Sequence, residues 1–430
     1  MRKGIAGIKG KWMRIAAVFV AGMLLCAGCG KESGDADTAA RTEGEQQGNY
    51  AVASEGETQN DETDIQADIQ TDIQTDIQAE GEVQDSPTVS LIMVGDILLH
   101  TPVAESGLME DGSYDFTPLF ENVSEEIKSA DLALVNQEVI IGGEELGITG
   151  YPCFNAPYEL GDALADAGFN VILHATNHTM DKGKKGVLNC LDFWNANYPQ
   201  MPFLGIHESA EDAEEIYVYE QDGMKIAILN YTYGTNGIAL PADMPYAVDL
   251  MEEEKVKRDL AKAQELADFL IVCPHWGTEY NLGIDAQQEK WTKLFLENGV
   301  DLVIGTHPHV IEPVEWVTDD EGREMLVYYS LGNYVNWTSG TGDGVANRMV
   351  GGMAEVELSR NGQGEVKISD YDVEPLVCHL EEGQGGVTTY FLKDYSEEMA
   401  QKNEIRKQDL AFSFAYCLDL CENVWGTRAE

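Results

Sequence analysis

Basic residues are scarce in this chain. Its 430 residues carry 27 Lys and Arg against 76 Asp and Glu, a formal net charge of −49. A surface of that sign repels nucleic acid and anionic lipid headgroups, which excludes a nucleic-acid partner. An anionic substrate then needs a local positive centre, and bound metal ions can supply one. Histidine is sparse as well, at eight residues. Beyond Cys26 and Cys29 there are six cysteines with no Cys-x-x-Cys pair among them, so the thiolate-rich sets of structural zinc are missing. Cys273 lies in an apolar run and reads as a buried small hydrophobe. Cys417 and Cys421 stand at helical spacing, which makes a disulfide between them awkward. The apolar run Ile15 to Leu25 is eleven residues, too short to span a bilayer comfortably.

That run has a basic lead-in without any acid: Arg2, Lys3, Lys9, Lys11 and Arg14. Ala27-Gly28-Cys29 follows it, and the layout is that of an export signal. The small-small-Cys ending resembles the bacterial lipobox, with Cys26 where Leu is usual. The resemblance implies a signal peptide over residues 1–29 and lipid on Cys29. The expected location is extracytoplasmic, anchored to the cell membrane through that lipid. Residues 30–87 read as a disordered acidic linker. From residue 31 it holds 16 acids against two bases, and Asp64 to Ala79 repeats Asp-Ile-Gln-Ala/Thr four times. Such a stretch cannot bury enough surface to offset the entropy of ordering, and self-repulsion extends it.

From residue 88 onward the charge is 60 acids against 20 bases. The length suits one large or two modest domains. Strand and helix patterns alternate: strands at 89–94, 132–135, 169–174, 269–272 and 301–304, with helices at 119–129, 159–167, 184–197, 252–267 and 286–298. A hairpin is expected about Asp222-Gly223. Strands follow at 325–331, 350–358 and 365–373, and 388–424 reads as helices. This alternation predicts an α/β sheet with helices on its faces, ligands gathering at the carboxyl ends of strands. The domain is placed at 88–380, with a C-terminal helical extension over 381–430.

The most informative motif is Gly305-Thr306-His307-Pro308-His309, directly after an apolar strand. In extended backbone, residues i and i+2 point to one side, so both imidazoles can converge. Chemistry-capable groups also follow strands at Asp96, Asn136 and Glu138, Asn177 and His178, and His275. Carboxylate, amide and imidazole donors in such a mixture suit divalent first-row metals such as Mn, Fe or Zn. Two such ions could activate water and clamp developing charge. His178, beside a ligand, could protonate a leaving group.

The order of these motifs resembles the calcineurin-like metallophosphoesterases. A narrower resemblance is to the CapA family of capsule synthesis. It rests on Val94-Gly95-Asp96, Asn136-Gln137-Glu138, Ala175-Thr176-Asn177-His178, His275-Trp276-Gly277-Thr278-Glu279-Tyr280, Gly305 to His309, and Tyr329-Ser330-Leu331-Gly332-Asn333-Tyr334. The resemblance implies a four-layer αββα sandwich with two divalent transition-metal ions at the strand ends. Asp96 and His309 would hold one ion, with Asn177, His275 and His307 on the other. Glu138 would bridge, and His178 would donate a proton. Asn136, Asp181, Glu279 and Asn333 would support the site or meet substrate, Glu279 by orienting His275. Trp276 and Tyr280 either line the site or pack its loop. Arg348 either meets an anionic substrate or is solvated. His174 reads as a strand residue, His207 and His379 as loop histidines. Two departures stand out. Leu98 occupies the place of a family His two residues after Asp96, with His100 four residues on either substituting for it or not, and Asn136-Gln137-Glu138 replaces Gly-Asp-x-x-Asp. The implied function is a lipoprotein of capsule synthesis or export, for poly-γ-glutamate or a related polymer. Its partners would be the membrane and the capsule polymer or its synthesis complex. The site is either a dinuclear hydrolase or a non-catalytic binder of metal or polymer.

Overall fold

A computed structural model describes residues 87–381, 383 and 385–426. The expected signal peptide, Cys29 and the repeat-bearing linker up to residue 86 lie outside them. In chain order come β1 (Thr88–Ile97), α1 (Thr101–Ser106), α2 (Ser124–Ser129), β2 (Leu132–Asn136), α3 (Tyr158–Ala167), β3 (Val171–Leu173), α4 (Gly183–Asn197) and β4 (Phe203–Leu204). Then follow β5 (Tyr217–Gln221), β6 (Met224–Thr232), α5 (Glu253–Leu266), β7 (Phe269–His275), α6 (Ala286–Glu297), β8 (Leu302–Ile304), β9 (Val314–Thr318) and β10 (Glu324–Tyr328). The chain closes with β11 (Asn333–Val335), β12 (Val350–Arg360), β13 (Val366–Leu380), β14 (Val387–Phe391), α7 (Glu397–Lys402) and α8 (Phe414–Trp425).

The strands form two sheets. One runs β14-β13-β12-β1-β2-β3-β4, with β11 also beside β1; the other runs β5-β6-β7-β8-β10-β9. In the first, the parallel run β1 to β4 carries the antiparallel β12, β13 and β14 on one side; in the second, the parallel β6, β7, β8 and β10 are flanked by the antiparallel β5 and β9. Alternation along the strands explains the layering. Val89, Leu91 and Met93 of β1 join Met224, Ile226 and Ile228 of β6 and Phe269, Ile271 and Cys273 of β7 in a core between the sheets. Ile92 and Val94 point the other way, into a core with Leu160 and Leu164 of α3 and Val187 and Leu191 of α4. Leu270 and Val272 face Val256 and Leu260 of α5 and Phe295 of α6. Helix, sheet, sheet, helix is therefore the layer order, the four-layer αββα sandwich expected.

Local signals place the elements. Asp222 and Gly223 both have positive φ, 52° and 76°, the backbone a two-residue hairpin turn needs. Gly168 ends α3 in the left-handed region. Asp285 caps α6 through a capping box with Gln288. Asn230 ties the sheets together, accepting from Ala175 N at 2.7 Å and donating to Cys273 O at 2.9 Å.

Several sequence expectations change. The helix expected at 119–129 is a short 3-10 turn at Thr117–Leu119 followed by α2. The stretch 388–424 is not all helix. Val387, Thr389 and Phe391 are buried at period two, and β14 extends the first sheet beside β13. The strand expected at 325–331 stops at Tyr328, because Gly332 takes positive φ (64°) in a turn that leads to β11. Cys273, Cys417 and Cys421 are buried. Among the described residues, no helix is long and apolar enough to cross a membrane.

Candidate metal centre

The carboxyl ends of the parallel strands face one spot. Asp96 sits near the end of β1, where Gly95 makes room: a Cβ there would lie 1.9 Å from Gly332 O. That close approach lets Asp96 N donate to Gly332 O at 2.9 Å. Asn136, the last residue of β2, donates from Nδ2 to Asp96 Oδ1 at 2.8 Å. His275 ends β7, and its neighbour across the sheet is Thr306, directly after β8.

Asp96 Oδ2 lies 3.0 Å from His309 Nδ1, and Asn177 Oδ1 lies 3.0 Å from His275 Nε2. Donors at that spacing can share a hydrogen bond, or both can reach one ion with bonds of about 2.1 Å. Glu138 stands between the two pairs. Its Oε1 is 3.6 Å from His309 Nε2, 3.7 Å from His275 Nε2 and 3.9 Å from His178 Nε2. Glu138, His307 and His309 each bring one donor atom to within 4.8 Å of the others. Both Glu138 carboxylate oxygens and His307 Nδ1 are buried without a hydrogen-bond partner. Burying such groups unpaired is costly, and a cation in their midst removes the cost. The residues present therefore fit a divalent metal.

Protonation at two of the rings agrees with that fit. Burial, with His309 and His178 nearby, pushes His307 well below the usual imidazole range, and burial with its His neighbours does the same to His275. Both are then neutral, the form that ligates. Burial pushes Glu138 up. Burial also opposes charge on His309, but Glu138 and Asp96 outweigh it and raise that ring to about 9.

The two imidazoles of the His-Pro-His run converge, but not by strand alternation. His307 and His309 have φ of 102° and 59°, so the segment is a tight loop and not extended. His178 turns its Nδ1 to Asp181 Oδ2 at 2.7 Å, and Asp181 is itself held by Phe154 N at 2.6 Å. Nε2 of His178 is thereby left toward Glu138. Asn333 Oδ1 faces His309 Nδ1 at 3.1 Å, and its Nδ2 donates to His309 O at 2.9 Å.

Glu279 does not orient His275: it is exposed, and His275 Nδ1 lies 3.0 Å from Thr306 Oγ1 and 3.4 Å from Asn136 Nδ2. Trp276 is core, donating to Tyr329 O at 2.9 Å and stacking on Tyr329. Leu98 is buried in the apolar core, and His100 packs on Phe154 without joining the close donor group. His174 accepts from Trp194 Nε1 at 2.8 Å, away from the donors. His379 pairs with the Tyr395 hydroxyl at 2.7 Å. Sequence reasoning missed three neighbours: Thr306, Tyr233, whose ring is 4.7 Å from that of His307, and Asn236, 3.4 Å from both Asn177 Nδ2 and His178 Nδ1. Thr306 was visible inside its motif; nothing local marks Asn236.

A family model described as bacterial capsule synthesis protein PGA_cap matches residues 90–338. The chain belongs to that family. All the donors above, from Asp96 to His309, fall inside the matched segment, and Arg348 falls beyond it. The chain is similar to the capsule biosynthesis protein CapA of Bacillus anthracis, with 27% identity over 267 residues, 59% of this chain and 62% of that one. It is 29% identical over 216 residues to the PGA biosynthesis protein CapA of Bacillus subtilis strain 168, covering 49% and 52%. The matches thus span less than two thirds of either relative. Among solved structures, the NAD nucleotidase NadN of Haemophilus influenzae aligns at 14% identity and a TM-score of 0.38, over 70% of this chain and 53% of that one.

Proposed function

We propose that this chain is a lipid-anchored envelope protein of capsule synthesis, acting on poly-γ-glutamate or a related polymer through a metal-dependent hydrolytic site. The family and the CapA relatives support the capsule role. The observation that carries the site is the buried Glu138 carboxylate, unpartnered on both oxygens among imidazole nitrogens. Asp96 and His309 would hold one ion and Asn177, His275 and His307 the other, with Glu138 shared. Bound there, divalent ions supply an activated water and charge neutralisation in a strongly acidic molecule. His178, fixed by Asp181, presents Nε2 to the cluster and is placed to hand a proton to a leaving group. Asn136 fixes Asp96, and Thr306 fixes His275. The anchor would be Cys29, facing outward from the membrane.

One observation favours a second reading. The buried Leu98 takes a position where the wider superfamily has a His, which leaves fewer donors beside Asp96. In that reading the cluster binds metal or polymer without turnover. An activity screen separates the two. Mn-loaded and EDTA-treated protein would be offered phosphoesters and γ-glutamyl peptides. The hydrolase reading expects metal-dependent cleavage that Asn177→Ala and His307→Ala abolish, with lower metal content. Full activity in those variants contradicts the site assignment.

A further inference from the structure

A cleft of about 330 Å³ opens beside the metal centre, and His309 belongs to both. Its other walls include His100, Tyr151, Trp337, Tyr280 and Arg348. Arg348 departs from the majority of basic side chains in this molecule. Most basic side chains are neutralised by a carboxylate, as in Lys184–Asp243, Arg323–Asp319 and Arg360–Asp268. Among the described residues, no carboxylate stands within ion-pair distance of Arg348. The side chain is not loose, however. Its guanidinium lies 3.6 Å above the centre of the Tyr280 ring, and NH1 donates to Thr338 Oγ1 at 2.8 Å. Tyr280 in turn sits 6.0 Å from the His309 ring. The backbone of Arg348 is tied to the same centre, since its carbonyl accepts from Asn333 Nδ2 at 2.9 Å. A guanidinium held over an aromatic face keeps its other N–H edges free in a fork that matches a planar oxyanion. In a domain so rich in acid, an arginine that lines a cleft with no described carboxylate at ion-pair distance is positioned for an anion from outside.

We propose that Arg348, braced on Tyr280, grips a carboxylate or phosphate of the substrate, while another part of the same substrate lies at the metal cluster. This rests on the hydrolytic or polymer-binding reading of that cluster and names the class of ligand: a molecule with an anionic group set off from its reacting bond. A free carboxylate beside the reacting bond and a second phosphate share that chemistry. The cleft between His309 and Arg348 sets the spacing of the two.

Calorimetric titration of Mn-loaded full-length protein tests it. The probes are a γ-linked glutamate tetramer, its amidated counterpart without side carboxylates, and phenyl phosphate. The wild type is expected to bind the tetramer or phenyl phosphate saturably. Arg348→Ala should weaken that probe about tenfold or more, with metal content unchanged. Arg348→Lys, which keeps the charge but not the fork or the stack, should recover only part of the loss. Tyr280→Phe should bind as the wild type does, and Tyr280→Ala should fall between. The probe that shows the Arg348 dependence identifies carboxylate or phosphate. Equal affinity in wild type and both Arg348 variants overturns the proposal, as does a wild type that binds neither anionic probe. Metal analysis on the same samples keeps the two ideas apart. Arg348-dependent binding by a protein without metal retains the cleft and refutes the metal centre; stoichiometric metal with Arg348-independent binding does the reverse.

Discussion

Two clusters of histidine and carboxylate are buried in this molecule, and they handle charge in opposite ways. Around His207, Nε2 meets Asp249 Oδ2 at 2.8 Å and Nδ1 lies 3.4 Å from Asp212 Oδ2. Lys255 Nζ stands 2.6 Å from Asp259 Oδ2 and 2.9 Å from Asp249 Oδ1, an ion pair on Asp249 without hydrogen-bond alignment. The Tyr231 hydroxyl donates to Asp259 at 3.1 Å. Each acid there faces a cation of the protein itself. Around Glu138 the facing groups are imidazoles, and two of these, His275 and His307, are held neutral by burial and by one another. Both Glu138 oxygens lack a hydrogen-bond partner. Residue types alone do not tell the clusters apart, and neither does the ring that its acids raise to about 9, His207 in one and His309 in the other; the open donors on Glu138 and His307 do. A cluster that neutralises itself is structural, whereas one that leaves buried donors open has the ligands to take a cation from outside.

The largest contrast should appear on removing one carboxylate from each cluster. Asp249→Ala takes the buried acid that Lys255 and His207 share, leaving them only Asp259 and Asp212, and should cost about 3 kcal/mol in urea denaturation. Glu138→Gln in metal-free protein should cost nothing or raise the melting temperature, since it removes an unpaired buried acid. Similar losses in both would erase the distinction.

A pH contrast comes next. Burial opposes charge on His207, but Asp212 and Asp249 outweigh it and raise the ring to about 9. A raised imidazole stabilises the fold fully below its ordinary value near 6.5, and the gain fades as pH climbs through about 9. The shift corresponds to about 3 kcal/mol. Urea midpoints of the wild type should therefore fall between pH 6 and pH 10 by more than those of His207→Gln. Parallel pH curves for the two proteins would remove His207 from the account of stability.

Metal should act on the other cluster only. Mn at a hundredfold excess over its dissociation constant should stabilise the wild type by about 2.7 kcal/mol. Glu138→Gln should show little of this in a thermal melt, and Asp249→Asn should keep the full increment. The smallest expected effect is at Thr306→Val. With the hydroxyl that fixes His275 gone, metal affinity should drop about tenfold by competition with a chelator, while the metal-free melt stays put.

How much of this was legible in the sequence follows from distance along the chain. Strand ends could be read because apolar runs stop at Asp96, Asn136, His275 and Gly305, and those stops carry the donors. The sandwich followed from β1, β6 and β7 being apolar on both faces. The route by which His307 and His309 converge was not legible, since positive φ at a non-glycine residue leaves no mark in composition. The His207 network was missed because Asp249 and Lys255 lie more than forty residues away. Asn230 and Asn236 act across the fold in the same way, one between sheets and one between loops. The short strand β14 looked helical because its five residues precede helical sequence.

Elemental analysis of full-length protein purified without chelators, beside Glu138→Gln prepared identically, bears most directly on the metal centre. About two transition-metal ions per chain are expected in the wild type and clearly fewer in the variant. A wild type without stoichiometric metal, even after loading with Mn or Zn, would show that the open donors around Glu138 serve some other end.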